Sequence, residues 1–198
     1  GKKSVAILPF KIAGAEKSKN TDDIFLGIGL ADALVSRLSA VNRLIVRPTS
    51  SVLPLAGNDP VEAGKITGVA FVLDGNIRRV GERIRVTVQL LNVAQSSTVW
   101  AEKFDEKFTD VLELEDSISE KVTQTLVSRL TGEEQKQLAK RGTNNVEAYE
   151  AYLRGRYFWN QFTADSLPKA LQAFEKAVAL DPNYALAHIG IADFYHWG

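Results

Sequence analysis

The sequence predicts an α/β (α+β) fold, in which a mixed β-sheet of about five strands is flanked by helices and followed by an all-helical segment. Three observations support this prediction. Apolar and polar residues alternate over residues 83–90, leucines recur every four residues from Leu26 to Leu38, and the pattern is wholly helical from about residue 145 onward. Alternation is typical of a half-buried strand and the four-residue spacing of an amphipathic helix, so both kinds of element are expected.

The composition limits the classes of function. The 198 residues are 45% hydrophobic and 24% charged, which is ordinary for a globular protein. Basic and acidic residues number 24 each, and the resulting net charge of zero excludes binding of nucleic acid or membranes by bulk charge. There is no cysteine and there are two histidines, so disulfides and thiolate ligands are excluded and no cofactor is expected. There is also no methionine, and we expect the chain to be a piece of a longer protein.

Short apolar runs define the first elements. Residues 5–10 form a continuous apolar run that indicates a strand buried on both faces, and the polar residues 11–23 indicate a loop. A helix follows, with Asp32, Ser36 and Arg37 on the side opposite its apolar stripe. The stripe consists of Leu26, Leu30, Leu34 and Leu38, with Ala31 and Val35 beside it.

Proline and glycine delimit the next two elements. Residues 44–46 predict a second strand, which ends before Pro48. Residues 60–68 predict a short helix, because Pro60 suits its first turn and Gly68 stands directly after its end.

A β-hairpin is the clearest element of the sheet. Residues 71–77 and 83–90 are two alternating runs around a turn that contains Gly81, and residues 99–104 supply a further strand. Arginines around the hairpin tip could contact phosphate or nucleic acid, but arginine alternating with apolar residues is typical of a solvated face, and we prefer that interpretation. The four arginines are Arg78, Arg79, Arg83 and Arg85.

A longer helix and a polar segment complete the first domain. Asp110 and Glu113 have the spacing of a capping box at the start of this helix. Residues 131–145 are polar and carry no apolar stripe, so we place the domain boundary there, between residues 1–140 and residues 141–198. The stripe of the helix is Val111, Leu114, Ile118, Val122, Leu126 and Leu130.

The second domain has the spacing of a tetratricopeptide repeat. Ala170, Phe174, Ala177 and Pro182 match the second helix of the repeat, in which small residues let two helices approach and the phenylalanine fills the space between them. Gly155 is the small residue of the preceding helix, although its spacing to Ala170 is irregular.

A second repeat begins after Pro182, and the chain ends within it. His188, Ile191, Ala192 and Tyr195 fall where the repeat has a large, a leucine-like, a small and an aromatic residue. Since one and a half units bury their faces poorly, further repeats are expected to follow. First helices of such repeats line a peptide-binding groove. The residues predicted to face it are Tyr152, Arg156, Trp159, Asn160, Ile189, Asp193 and His196.

No motif predicts catalysis. Gly27 and Gly29 open a helix, but Asp32 stands where a dinucleotide loop needs its third glycine, so we interpret the glycines as a flexible helix entry. The acidic residues within 113–116 could act as paired acids or metal ligands, but such clusters are more often solvated helix starts. We therefore expect no catalytic and no metal-binding residues.

Several separate segments, in the same order, resemble the TolB-amino-terminal-like domain of bacterial regulators. A further segment looks like the tetratricopeptide repeat that usually follows this domain. The segments of the domain are SVAILPF (4–10), GLADAL (29–34), VRPTS (46–50), VLDGNIRR (72–79), RIRVTVQL (83–90) and VWAEKFD (99–105), and the repeat segment is AYLRGRYFWN (151–160).

The resemblance implies architecture more than activity. Such domains commonly follow a winged-helix DNA-binding domain of the OmpR/PhoB kind, often with a membrane span between, as in CadC- and ToxR-type regulators. Other relatives carry a nucleotide cyclase or a kinase domain instead. The family fold is a mixed sheet flanked by helices, and the family offers no catalytic residues to transfer.

We therefore predict a non-catalytic sensory or protein-interaction module of a bacterial transcriptional regulator. A protein or peptide partner would bind the repeat groove or the domain junction, the module could dimerise, and DNA contact would belong to a missing upstream domain. No direct membrane contact is expected, and the compartment, cytoplasmic or extracytoplasmic, stays open. Two alternatives also stay open: an accessory module of a signalling cyclase or kinase, and an envelope scaffold like TolB.

Overall fold

The computed structural model describes residues 1–13, 21–127 and 130–197, without the side chains of residues 21–23. The strands are β1 (Lys3–Ile7), β2 (Lys11–Ile12), β3 (Leu44–Val46), β4 (Phe71–Val80), β5 (Arg83–Asn92) and β6 (Ser97–Lys107). The helices are α1 (Thr21–Leu38), α2 (Thr49–Val52), α3 (Pro60–Thr67), α4 (Val111–Leu126), α5 (Gly132–Ala139), α6 (Val146–Gln161), α7 (Leu167–Leu180) and α8 (Ala185–Trp197). The predicted α/β (α+β) fold with a helical end is confirmed.

The strands form one mixed sheet in the order β3-β1-β4-β5-β6. β1 pairs in parallel with β3 and β4, whereas β4, β5 and β6 form an antiparallel meander. The short β2 also pairs with β4, beyond the end of β1. β2 was not predicted, because its two residues lie in a segment interpreted as a loop. Residues 14–20 of that segment lie outside the described part of the chain.

Helices pack on both faces of the sheet. On one face, Ile84, Val86, Val88 and Leu90 of β5 are fully buried and join the main core, which also contains the stripes of α1 and α4. A smaller core on the other face lies around α2 and α3. Its buried members are Ala6, Leu8, Val52, Ala63, Val69, Val72 and Val93.

The hairpin arginines lie on an exposed part of the sheet. Arg83 donates from Nε to Asp105 of β6 at 2.9 Å, Arg85 binds the same carboxylate, and the Arg79 guanidinium lies 4.2 Å from the centre of the Phe108 ring. These ion pairs and the ring contact fit the prediction of a solvated hairpin face.

Helix ends show which capping predictions hold. α3 begins after Asp59, whose side chain accepts from the Glu62 amide, and ends at Gly68 with a φ of 65°, so the predicted helix is confirmed. The capping box predicted at Asp110 is wrong, because its side chain makes no capping hydrogen bond. The capping box lies instead at Thr131 and Glu134, at the start of α5.

α5 occupies part of the segment predicted as a polar boundary without its own element. Only Leu138 supplies a buried apolar side chain there, which is why the sequence shows no stripe. The predicted α4 stripe extends to Leu130, but α4 ends at Leu126, and residues 128–129 lie outside the described residues.

The helical segment, α6 to α8, is organised around Phe174. A Cβ added at Gly155 of α6 would lie 2.4 Å from the Phe174 ring, and a Cβ added at Gly190 of α8 would lie 2.8 Å from the same ring. Phe174 therefore fills the space between three helices, as expected. The small residue predicted on α8 is wrong by two positions, since Ala192 is exposed and Gly190 makes the contact.

The main core runs without interruption from the sheet into the helical segment. It joins the α1 and α4 stripes to Leu153, Phe174 and Ala187. The boundary predicted between residues 140 and 141 falls in the connection from α5 to α6, and it stays a prediction. Within the described residues, none of the helices combines the length and apolar character needed to cross a membrane.

Candidate functional site

The sheet and the helical segment meet where α6 packs on α1. Arg156 of α6 donates to Asp32 of α1 from Nε at 2.6 Å and from Nη2 at 3.2 Å. Thr49, at the start of α2, donates to the same carboxylate at 2.6 Å. Asp32 is 3% exposed, so α6 covers this residue of the side of α1 predicted to be polar, whereas Ser36 on the same side is exposed.

Two glycines of α1 mark points of close approach. A Cβ added at Gly27 would lie 2.3 Å from the Phe10 carbonyl oxygen, and a Cβ added at Gly29 would lie 2.8 Å from the Leu153 Cβ. The interpretation of these glycines as a flexible helix entry is therefore wrong. They lie inside α1, where one meets the segment between β1 and β2 and the other meets α6.

A buried carboxylate lies beside this contact. Glu115 of α4 is 7% exposed, accepts a hydrogen bond from the Tyr149 hydroxyl of α6, and lies 3.4 Å from Nη1 of Arg37 on α1. Burial raises the pKa of Glu115, and it raises the pKa of Tyr149 well above its ordinary range. Each of the three helices thus contributes one polar group to a single buried cluster.

The neighbouring acids hold arginines. Asp116 forms ion pairs with Arg37 and Arg141, and Glu113 lies 3.2 Å from Arg141. The prediction of a solvated helix start is thus wrong for Glu115, which is buried. Asp116 and Glu113 are not fully buried, but they anchor the connection from α5 to α6.

A cavity of about 270 Å³ opens at this junction, and we call it the junction pocket. α1 and α4 form one wall, and α6, the start of α8 and the connection from α5 to α6 form the other. The lining residues are Ala33, Ser36, Arg37, Ala40, Leu112, Glu115, Gln137, Lys140, Arg141, Gly142, Thr143, Tyr149, Tyr152, Tyr184, Ala185 and Leu186.

The predicted groove residues of α6 do not share one open face. Tyr152 is 3% exposed, its ring lies 5.1 Å from that of Tyr184, and it lines the junction pocket. Arg156 binds Asp32. Trp159 is half-buried with its ring 5.7 Å from that of Phe162. Asn160 is also half-buried, and its Nδ2 atom is buried with no hydrogen-bond partner in the described part of the chain.

The predicted groove residues of α8 are more accessible. Ile189 is 53% exposed, Asp193 is half-buried, and His196 is exposed with its ring 4.6 Å from that of Trp197. Their role in binding a peptide stays a prediction.

Sequence reasoning missed Tyr184 and the burial of Glu115. Glu115 could have been found, because it continues the helical spacing of Val111, Ile118 and Val122 along α4. Tyr184 gave no such signal, since it lies between the Asp181-Pro182 helix end and α8 and is buried by contacts with α6 and with the connection from α5 to α6.

The fold and this junction define the class of protein, a mixed α/β domain with a helical segment packed tightly against it. Residues 1–129 match the family described as HilA/YgeH-like transcriptional regulator, second domain, and the chain belongs to this family. The prediction of a domain from a bacterial regulator is thereby confirmed. The tetratricopeptide character of residues 141–198 stays a prediction.

A curated relative covers nearly the whole chain. Over 193 residues, or 96% of the chain, the sequence is 28% identical to "Putative adenylate cyclase 3" of Rhizobium meliloti (strain 1021). The chain spans 32% of the length of that protein.

Solved structures share parts of the fold at low similarity. TolB from Acinetobacter baumannii is 17% identical with a TM-score of 0.42, over 65% of this chain and 29% of that chain. The PelC dodecamer from Paraburkholderia phytofirmans is 16% identical with a TM-score of 0.43, over 65% and 90%. Lipoprotein GNA1162 from Neisseria meningitidis is 14% identical with a TM-score of 0.43, over 64% and 99%. These scores are low, so no argument about function rests on them.

Proposed function

We propose that this chain is a non-catalytic sensory and protein-interaction module of a bacterial transcriptional regulator, whose DNA-binding domain lies outside it. Membership of a regulator-domain family supports this proposal. The observation that carries it is the contact of Arg156 with Asp32, because this ion pair connects the helical segment to α1, and α1 packs on the sheet.

The exposed apolar side chains of α8 are the proposed partner surface. Ile189, Tyr195 and Trp197 are 53%, 72% and 67% exposed, which is unusual for large apolar side chains grouped on one helix. A protein or peptide segment with apolar side chains would bury them. Binding there changes the regulator only if the partner prefers one arrangement of α6 on α1 over another.

The intact regulator provides the test. Arg156→Lys keeps the positive charge but loses the two-point contact with Asp32. We expect altered transcription from a reporter gene at unchanged protein level, while Arg85→Lys, at the exposed ion pair with Asp105, leaves transcription unchanged. Equal transcription with both variants would contradict the proposed coupling.

An accessory role in a signalling cyclase is the second candidate, and the similarity to "Putative adenylate cyclase 3" favours it. The coding sequence upstream of this chain separates the two. A winged-helix domain there supports the regulator and a cyclase domain supports the alternative, whereas a signal peptide directly upstream contradicts both.

The absence of catalysis is tested on the chain itself. Incubation with nucleoside triphosphates and simple esters should give no turnover, and the chain alone should not shift DNA sequence-specifically at physiological salt. Saturable turnover would refute the non-catalytic assignment. A sequence-specific shift would refute the assignment of DNA contact to another domain.

A further inference from the structure

Two tyrosines of the junction pocket have hydroxyls without a hydrogen-bond partner among the described residues. Tyr152 and Tyr184 are 3% and 1% exposed, and both line the pocket. Neither hydroxyl makes a hydrogen bond to any group of residues 1–13, 21–127 or 130–197. Neither oxygen is among the buried unpaired side-chain atoms of the described residues, so both hydroxyls are accessible to solvent and can bind a molecule that enters the cavity.

The third tyrosine of the pocket shows the contrast. The Tyr149 hydroxyl donates to Glu115, whose other oxygen lies 3.4 Å from Nη1 of Arg37. Both oxygens of this carboxylate are therefore occupied by donors of the fold. Tyr152 and Tyr184 line the same cavity and each hydroxyl has a proton to donate, so an acceptor group on a ligand can bind both.

Charge and shape restrict the ligand further. Arg37 and Arg141 both form ion pairs with Asp116, so neither arginine requires an anionic ligand as a counter-charge. The walls are mainly apolar, and the rings of three tyrosines supply faces and edges for an aromatic ring. A volume of about 270 Å³ is sufficient for a compact molecule.

The wall formed by the connection from α5 to α6 is held in place. An added Cβ at Gly142 would lie 2.7 Å from the Tyr184 ring, and Thr143 donates to Asp181 at the end of α7. The tyrosine ring and this backbone segment are therefore in close contact on one side of the cavity, as a preformed site requires.

We infer that the junction pocket binds a compact aromatic molecule through an oxygen acceptor that the Tyr152 and Tyr184 hydroxyls hold. The inference goes beyond the proposed function, because it does not depend on the exposed apolar side chains of α8. If no partner binds α8, the inference about the pocket still holds. If the pocket binds no ligand, the proposal of a partner surface on α8 still holds.

Three probes of similar size test it on the full chain: benzamide, benzoate and toluene. Binding is followed by NMR titration, with the Gly142 amide as the reporter at the pocket. We expect benzamide or benzoate to bind and to shift this amide, and toluene, which lacks the acceptor, to bind at least tenfold more weakly. Because Arg37 and Arg141 are already paired with Asp116, we expect benzamide to bind more tightly than benzoate.

The double variant Tyr152→Phe, Tyr184→Phe removes only the two hydroxyls. We expect it to be at least as stable as the wild-type chain in thermal melts, because no bond within the fold is lost, and to bind the acceptor probe about tenfold more weakly. Tyr195→Phe, at an exposed ring of α8, is the matched control and should leave binding unchanged.

Three outcomes would overturn the inference: binding of none of the probes, equal binding of toluene and the acceptor probes, or unchanged binding by the double variant. A marked fall in the melting temperature of the double variant would also overturn it, because it would mean that the hydroxyls are already paired within the fold.

Discussion

Arg156 and Asp32 form a nearly buried ion pair between helices whose paired residues are 124 positions apart in the chain. The Asp32 side chain is 4% exposed and that of Arg156 is 21% exposed. Two nitrogen atoms of one guanidinium contact both oxygens of one carboxylate, which fixes the rotation of α6 on α1 as well as its distance.

Removal of this arginine should destabilise the fold far more than removal of an exposed one. Arg156→Ala leaves the Asp32 carboxylate buried without its counter-charge, so we expect the free energy of unfolding to fall by about 3 kcal/mol. Arg85→Ala, which breaks the exposed pair with Asp105, should cost less than about 1 kcal/mol. Urea denaturation of both variants measures the difference, and equal losses would contradict the importance of burial.

Gly29 should not tolerate a methyl group. In Gly29→Ala the new Cβ would lie 2.8 Å from the Leu153 Cβ and 3.0 Å from the Leu153 carbonyl oxygen, so α6 has to move away from α1. We expect a loss of about 1–3 kcal/mol in unfolding free energy. Gly132→Ala is the control, since nothing lies within 4 Å of its Cβ, and it should be neutral or slightly stabilising. A stable Gly29→Ala variant with unchanged hydrogen exchange in α6 would refute the close contact.

The Phe174 contact offers a test by compensation. Gly155→Ala places a Cβ 2.4 Å from the Phe174 ring, and we expect it to lower the free energy of unfolding by about 1–3 kcal/mol. Phe174→Leu leaves space on that side of the core and costs stability by itself. The double variant should therefore be more stable than the sum of the two losses predicts, by about 1 kcal/mol. Strict additivity in a double-mutant cycle would mean that the two residues do not meet.

Glu134 should make the fold acid-sensitive in a defined range. The hydrogen bond from Arg43, together with the backbone of Thr131, lowers the pKa of Glu134 from 4.5 to about 2. Because the folded state favours the carboxylate, its contribution is complete above pH 4.5 and disappears as the pH falls from 4.5 to about 2. The stability difference between the wild-type chain and Glu134→Gln should shrink over this range in urea denaturation series. Glu133→Gln, at the exposed neighbouring position, controls for the loss of one charge, and a difference that does not change with pH would contradict the pairing with Arg43.

The elements that could be predicted are those whose signal is local. The alternation of apolar and polar residues predicted β5, and Pro60 and Gly68 predicted the ends of α3. Each of these patterns depends only on residues that are close in the sequence. β2 could not be predicted, since two residues carry no periodicity. α5 also escaped, because its start depends on a capping box and only one apolar residue, Leu138, anchors it in the core.

The junction could be predicted only in outline. The sequence predicted a partner site at the groove or the domain junction, but it did not predict that Tyr149 of α6 lies against Glu115 of α4. The burial of Asp32 could not be predicted, because a charged residue opposite an apolar stripe normally faces solvent. Its environment is set by Arg156, which lies far along the chain, and local spacing contains no information on such a partner.

The central position of β1 has a consequence for the order of folding. β1 lies between β3 and β4, and the Ser4 hydroxyl accepts a hydrogen bond from the Ala70 amide, 66 residues later in the chain. During synthesis β1 therefore stays without its second neighbour until β4 has emerged. β4, β5 and β6 need only short turns to pair with one another, and loop closure favours such local contacts. The meander should form early, and insertion of β1 beside β4 should be the slow step that completes the sheet.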